Sequence, residues 1–292
     1  MQALKQYLQQ HYTKASAAAY LREITIFINS HPQANNATYQ SIIHYLNEQR
    51  KVQSSASIHR ILQSLKKYYN YLVNEGIRED NPTQFIYLKD YNHKALFKGK
   101  RLLDSEQLEE LWQHFLDKKY FQHQLLKNRN IALVSLLLHQ ALRSGEITAL
   151  TITSIDLQKG VIHVPKTNTT RSRTLPLERR QLFVFYEYIK TDRAVLLGNQ
   201  SSLSLFITRD GRAEKGESLH THIKRIRHFY KDIIINPNLI RMSVLRQQFN
   251  QGKSLQAVQY FAGHRYPSST ERYKNNELQA LQASILKHHP LG

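Results

Sequence analysis

The 292-residue chain is long enough for two domains and too long for one small core. It carries 41 Lys and Arg against 22 Asp and Glu, a formal charge of +19, with 13 basic against 6 acidic residues in the first hundred and 28 against 16 beyond. An excess spread over both halves suits a protein that grips a long polyanion with two surfaces. The absence of cysteine excludes disulfides, thiolate zinc sites and cysteine nucleophiles, and no apolar run approaches the ~20 residues of a membrane span.

The first ninety or so residues predict a small helical bundle. Ala17, Leu21, Ile24 and Ile28 recur at helical spacing, as do Ile42, Ile43 and Leu46. A third stripe runs through Ile58, Ile61, Leu62, Leu65, Tyr69 and Leu72 before Glu75-Gly76 ends it. Asn81-Pro82 breaks the pattern, and Lys89, Lys94, Lys98, Lys100 and Arg101 follow without periodicity. This divides the chain into a helical domain at 1–88, a basic linker at 89–103 and a second domain at 104–292.

The second domain opens on Asp104-Ser105, with Gln107 three residues after Asp104 as in a capping box, and Leu108, Leu111, Trp112 and Phe115 make the buried face. Residues 129–142 predict a strongly apolar helix. Beyond Leu150 the period changes: residues 161–166 alternate, a polar Thr167–Arg173 stretch follows, and Thr174-Leu175-Pro176-Leu177 completes a β-hairpin whose turn carries Asn168, Thr169 and Thr170. Ser204–Thr208 reads as another short extended segment, and the chain from about Glu217 onward as mainly helical. The fold class is mainly α with a small β-sheet. The fifteen histidines are scattered and no HExxH pattern occurs, so no metal site is expected.

Three separated segments bear the chemistry: Arg143-Ser144-Gly145-Glu146 directly after the apolar helix, Lys166 on the hairpin, and Asn238-Leu239-Ile240-Arg241 … Gly263-His264 … Tyr273. His264 precedes Tyr273 by nine residues, Arg241 precedes His264 by 23, and Arg143 precedes Lys166 by 23. In this order and spacing the chain resembles the tyrosine recombinase (phage integrase) family, which includes Xer-type recombinases and mobile-element integrases. The resemblance covers nearly the whole chain, because the N-terminal bundle is similar to the family's SAM-like core-binding domain. It implies an α+β catalytic domain that cleaves and rejoins DNA through a 3′-phosphotyrosyl intermediate, without metal, ATP or another cofactor.

By that resemblance Tyr273 is the nucleophile, and Arg143 and Arg241 clamp the non-bridging phosphate oxygens as charge builds on them. Lys166 supplies the proton to the leaving 5′ oxygen, although Arg171 and Arg173 stand close enough in sequence to take its place. His264 donates to a phosphate oxygen or assists removal of the tyrosine proton; read without the family, Gly263-His264 is equally a helix C-cap beside a core histidine. Glu146 reads as a buried structural partner. Three positions depart from the family pattern. Asn238 stands where the family has histidine, and Asn offers a hydrogen bond but no proton transfer; Met242 replaces a common histidine, and Leu142 the glycine often found before the first arginine. These departures favour a mobile-element integrase.

The implied partners are double-stranded DNA with paired sites, a homotetramer on that DNA and an accessory DNA-bending protein, with no membrane partner; the implied setting is the bacterial cytoplasm and its nucleoid. Off DNA a monomer is expected. No arm-type DNA-binding domain fits before residue 10, so a simple core recombinase is expected. In the tail, Leu278, Leu281, Ile285 and Leu286 recur at helical spacing, as a helix packed on its own domain or, by resemblance, on a neighbouring protomer. Two other readings compete: an inactive DNA-binding accessory protein of the same fold, and a type IB topoisomerase-like enzyme, against which the N-terminal bundle and short chain argue.

Overall fold

Residues 1–88, 101–117, 124–230 and 232–274 are described by the computed structural model. Four of the expected linker lysines (Lys89, Lys94, Lys98 and Lys100) and the tail residues Leu278, Leu281, Ile285 and Leu286 lie outside these ranges. The chain divides into two units, Met1–Ala95 and Leu96–Gly292.

In the first unit, α1 (Gln2–His11), α2 (Lys14–Ser30), α3 (Tyr39–Arg50) and α4 (Ser55–Asn74) form the expected helical bundle. Three of these helices start alike. Thr13, Thr38 and Ser54 each accept a hydrogen bond from the backbone N–H of a serine three residues on, Ser16, Ser41 and Ser57, at 3.3, 3.2 and 3.3 Å. All six apolar residues of the third sequence stripe are buried on α4. Leu4 and Leu8 of α1, Ile24 and Phe27 of α2, and Ile42 and Leu46 of α3 close the core around them. Leu21, Ile28 and Ile43 pack at its margin. After α4 the Asn81 side chain accepts from the Thr83 backbone N–H at 2.8 Å, so the break at Asn81-Pro82 is a turn with its own hydrogen bond.

The second unit opens with α5 (Ser105–Leu116), whose capping box between Asp104 and Gln107 is present as expected, with Leu108, Leu111, Trp112 and Phe115 buried. Next comes α6 (Gln124–Gln140), buried on nearly every side from Arg129 onward. A helix enclosed on most sides has no exposed polar stripe, and its buried Arg129, Asn130, Ser135 and Gln140 are hydrogen-bonded. It ends two residues earlier than the apolar run suggests, because Ala141 turns into the left-handed region at φ 52°. The short α7 (Ser144–Thr148) follows.

The sheet has three antiparallel strands, β1 (Ile155–Asp156), β2 (Val161–Val164) and β3 (Arg173–Pro176), in the order β1-β2-β3. The expected hairpin is β2–β3, in the register Ile162↔Leu175 and Val164↔Arg173. Lys166 therefore lies in the 165–172 connection just beyond the end of β2. The two-residue β1 is too short for any periodic signal. Ser204–Thr208 is not a strand of this sheet; it makes only single bridges, Thr151↔Ser204 and Ile207↔Ala213.

Beyond the sheet lie α8 (Arg179–Glu187), α9 (Arg193–Leu197), α10 (Glu217–Arg225), α11 (Pro237–Asn250), α12 (Leu255–Ala262) and α13 (Pro267–Glu271). Of these, α8, α10 and α11 pack on α6, while α12 packs on α11, α13 and β3. Among the described residues no helix is long and apolar enough to cross a membrane.

Candidate active site

The end of α6 sets the first wall. With Ala141 left-handed, the Leu142 N–H closes on the Leu136 carbonyl at 3.0 Å, and the chain is released into the extended conformation of Arg143 (φ −78°, ψ 154°). Arg143 then starts α7, and Glu146, one turn on, reaches back to accept its backbone N–H at 2.9 Å. The Arg143 side chain is left half-buried, with Nη1 3.5 Å from Thr169 Oγ1 of the β2–β3 connection.

Glu146 is the hub of the site. Its other oxygen accepts from Arg173 Nη1 at 2.7 Å, and Arg241 Nη1 stands 3.6 Å from Oε2. All three side chains are buried. Burial pushes the Glu146 carboxyl upward, but the Arg173 hydrogen bond and charge, the Arg241 charge and the Arg143 N–H outweigh it and hold the carboxyl below its ordinary value. It is therefore a carboxylate at neutral pH. Arg173 Nε also donates to the Phe261 carbonyl at 2.8 Å, and its guanidinium passes directly beneath Gly263, where an added Cβ would sit 2.3 Å from Nη1. Gly263, at φ 69°, is the left-handed C-cap of α12.

Arg241 projects from α11 and is only 2% exposed. It donates to the Ala141 carbonyl, to the Ala262 carbonyl at 2.8 Å and to His264 Nε2 at 3.3 Å. A guanidinium only donates. His264 Nε2 is thus the acceptor, and the ring carries its proton on Nδ1, which donates to Thr270 Oγ1 at 2.9 Å. Burial, with the nearby charges of Arg241, Arg143 and Arg173, pushes the His264 imidazole down to about 3, and burial with the charges of Arg143 and Arg173 pushes Arg241 down to about 10. The site thus holds a neutral histidine and a charged arginine. The half-buried Tyr273 ring stacks on His264, centroids 5.6 Å apart at 19°, and its backbone N–H bonds to the Thr270 carbonyl at 2.9 Å. Gly263 is a helix C-cap and His264 a buried histidine behind it, and the same histidine stands against Arg241 and Tyr273.

Arg143, Arg241, His264 and Tyr273 are brought into one cluster around Glu146. Lys166 is exposed and lines an open hollow of about 500 Å³ with Arg171, Ser172, Arg265 and Tyr266. Arg173, considered as a substitute for Lys166, is instead locked inside the hub. Asn238, in the first turn of α11, donates to Met242 Sδ at 3.6 Å and lines a separate depression with Arg101 and Ile234. Two departures from the family pattern therefore contact each other one turn apart. The third, Leu142, carries no backbone strain; the residue held where glycine is favoured is Ala141. Sequence reading missed the parts played by Arg173 and Thr270, whereas Gly263 was read as a helix C-cap and is one. Only the glycine at a helix end carried a local signal for its place.

Residues 101–279 match the phage integrase family, and residues 2–76 match the phage integrase N-terminal SAM-like domain. The tyrosine recombinase XerC of Alcanivorax borkumensis is 29% identical over 248 residues, 82% of this chain and 76% of that protein. The tyrosine recombinase XerD of Halalkalibacterium halodurans is 24% identical over 260 residues, 88% and 83% of the two. Among solved structures, the XerH site-specific recombinase bound to a palindromic difH substrate, a post-cleavage complex, is similar at a TM-score of 0.74 and 20% identity over 93% of this chain and 80% of that one. The Tn1549 transposon integrase in complex with transposon right end DNA is similar at 0.69 and 18% identity over 98% of each. These two likenesses concern the fold. Two domain matches in family order, the second enclosing the whole Arg143–Arg241–His264–Tyr273 cluster, establish that the chain belongs to the phage integrase family of tyrosine recombinases.

Proposed function

We propose that this protein is a site-specific DNA recombinase that integrates or excises a mobile element, acting as a tetramer on two paired DNA sites in the cytoplasm. The observation that carries the reading is the stacking of Tyr273 on a neutral His264 that is itself bonded to Arg241. In the reaction, Tyr273 Oη bonds to a backbone phosphorus as the P–O5′ bond breaks. The tyrosine proton leaves to solvent beside the neutral His264 ring, and the Lys166 ammonium protonates the departing 5′ oxygen. Arg143 and Arg241 hold the non-bridging oxygens as they gain charge. Asn238 adds a hydrogen-bond donor to phosphate and moves no proton. Religation runs the same steps in reverse with the 5′ hydroxyl of another strand. The N-terminal unit supplies a second DNA-binding surface.

The test is covalent trapping on DNA from the source organism with chelator present, comparing wild type with Tyr273→Phe after denaturation and protease digestion. A 3′ adduct with wild type alone is the expected result, and sequencing the attached fragment gives the site. An adduct that persists in Tyr273→Phe moves the nucleophile elsewhere. Tight DNA binding with no adduct favours an accessory protein, and relaxation of supercoils without joined products from two sites favours a topoisomerase.

A further inference from the structure

The connection between β2 and β3 is fastened to the loop that follows α12, by backbone groups and by side chains outside the catalytic cluster. Thr170 and His264 form an isolated antiparallel bridge, and the Arg171 N–H donates to the Gly263 carbonyl at 2.9 Å. The Tyr260 hydroxyl accepts from the Thr174 N–H and donates to the Thr174 carbonyl, both at 3.2 Å. One tie lies next to Lys166 itself: Arg265 Nη2 donates to the Thr167 carbonyl at 3.1 Å. Thr167 is in turn the organiser of the connection, because its Oγ1 accepts from the Thr169 and Thr170 N–H groups at 3.3 and 3.1 Å. Holding the Thr167 carbonyl fixes the peptide one residue beyond Lys166, and the Thr167 N–H, in the peptide that leaves Lys166, donates to the Thr170 carbonyl at 3.1 Å inside the same connection.

We infer that Arg265 is a positioning residue for strand cleavage: it ties Thr167, the residue after Lys166, to the His264 loop and so sets where the Lys166 ammonium meets the leaving 5′ oxygen. The inference rests on the recombinase reading and on Lys166 as the proton donor. Lys166 is an exposed side chain on a connection of eight residues between short strands, so its own contacts do not fix it. A proton donor has to stand within hydrogen-bond reach of the atom it protonates, and a displacement of about 1 Å costs on the order of a hundredfold in rate. Arg265 supplies the missing restraint from the loop whose histidine already sits against the nucleophile. It also leaves the lining of the hollow with three cations, Lys166, Arg171 and Arg265, a surface suited to phosphate.

The experiment uses a synthetic duplex of the sequence recovered in the Tyr273 adduct, in two forms: an ordinary phosphodiester, and a 5′-bridging phosphorothiolate at the broken bond. A thiolate leaves without a proton, so the second substrate removes the need for the donor. On the ordinary duplex, with protein in saturating excess, Arg265→Ala is expected to cleave about tenfold to a hundredfold more slowly than wild type, with thermal midpoint unchanged. On the phosphorothiolate both Arg265→Ala and Lys166→Ala are expected to approach the wild-type rate. Arg265→Lys, which keeps a donor for one carbonyl, is expected to recover most of the cleavage on the ordinary duplex, and Arg265→Gln serves if the alanine variant does not fold. Rescue of Lys166→Ala without rescue of Arg265→Ala overturns the positioning role and leaves the recombinase reading standing. Wild-type cleavage by Arg265→Ala does the same. Failure to rescue Lys166→Ala removes Lys166 as the donor, and the role of Arg265 with it.

Discussion

At the scale of single residues, Glu146 and Arg173 matter most among the groups that touch no DNA. Two buried guanidiniums, one buried carboxylate and a backbone N–H meet there, with Arg173 Nη2 and Arg241 Nε left without a hydrogen bond, and removing the carboxylate charge leaves the guanidiniums without a counter-ion. Glu146→Gln is expected to cost about 3–5 kcal/mol, the range for breaking a buried pair by loss of one partner. Urea unfolding measures this, and a variant within about 0.5 kcal/mol of wild type would show that Arg173 and Arg241 are held by their carbonyl partners instead. The burial of Glu146 was legible in the sequence from its place behind an apolar helix. Its partner was not. Arg173 sits among Arg171 and several lysines in a polar stretch, and nothing local says that its side chain turns inward to meet Gly263, ninety residues later. Asn238 was legible as a departure from the family, while its contact with Met242 needed the helix.

At the scale of elements, two helices that serve the site end in left-handed residues, α6 at Ala141 and α12 at Gly263. The same backbone demand is met by different residues. A non-glycine residue in that region costs about 1–2 kcal/mol, and Ala141 bears this cost while its carbonyl accepts from Arg241. Ala141→Gly is expected to stabilise the protein by about 1 kcal/mol, and Gly263→Ala to destabilise it by more than the backbone term alone, because the new Cβ meets the Arg173 guanidinium. Thermal midpoints of the two variants check the pair; a lower midpoint for Ala141→Gly would mean that the turn is not strained. The stripe of α4, the capping box of α5 and the β2–β3 hairpin were readable because each has a period or a cap. The end of α6 was not, since the apolar run continues through Ala141 and Leu142 while the backbone turns. Nor was β1, whose two residues gain their pairing from β2 alone.

At the scale of the whole molecule, the order of motifs was enough to indicate the family and its two-domain fold. What they did not show was how many histidines are buried neutral. Burial is the main cause in each case, aided by neighbouring arginines. His139 and His222 are pushed down to about 4 and His264 to about 3. These folded-state values lie below that of an unfolded histidine, near 6.5, so the unfolded chain binds protons that the folded chain refuses. The stability is fully present above about pH 6.5 and is lost as pH falls toward 4, each histidine adding up to about 1.4 kcal/mol per pH unit in that window. Urea midpoints at pH 7.5 and pH 5 are expected to differ accordingly, with a shallower dependence in His222→Gln; equal midpoints would place these imidazoles in contact with water.

The hub around Glu146 also has an arithmetic of charge. Arg143, Arg173 and Arg241 bring three positive charges and Glu146 removes one, which leaves two. A phosphodiester entering the site carries a single negative charge, so the bound ground state is under-neutralised. On the proposed reaction it would gain its second negative charge only when the tyrosine proton leaves the site and the oxygen joins phosphorus, and the five-coordinate dianion would then be the first species to balance the site. An enclosure matched in charge to the transition state and mismatched to the substrate favours the first over the second. A carboxylate buried among arginines, which looks like a concession to stability, sets that match.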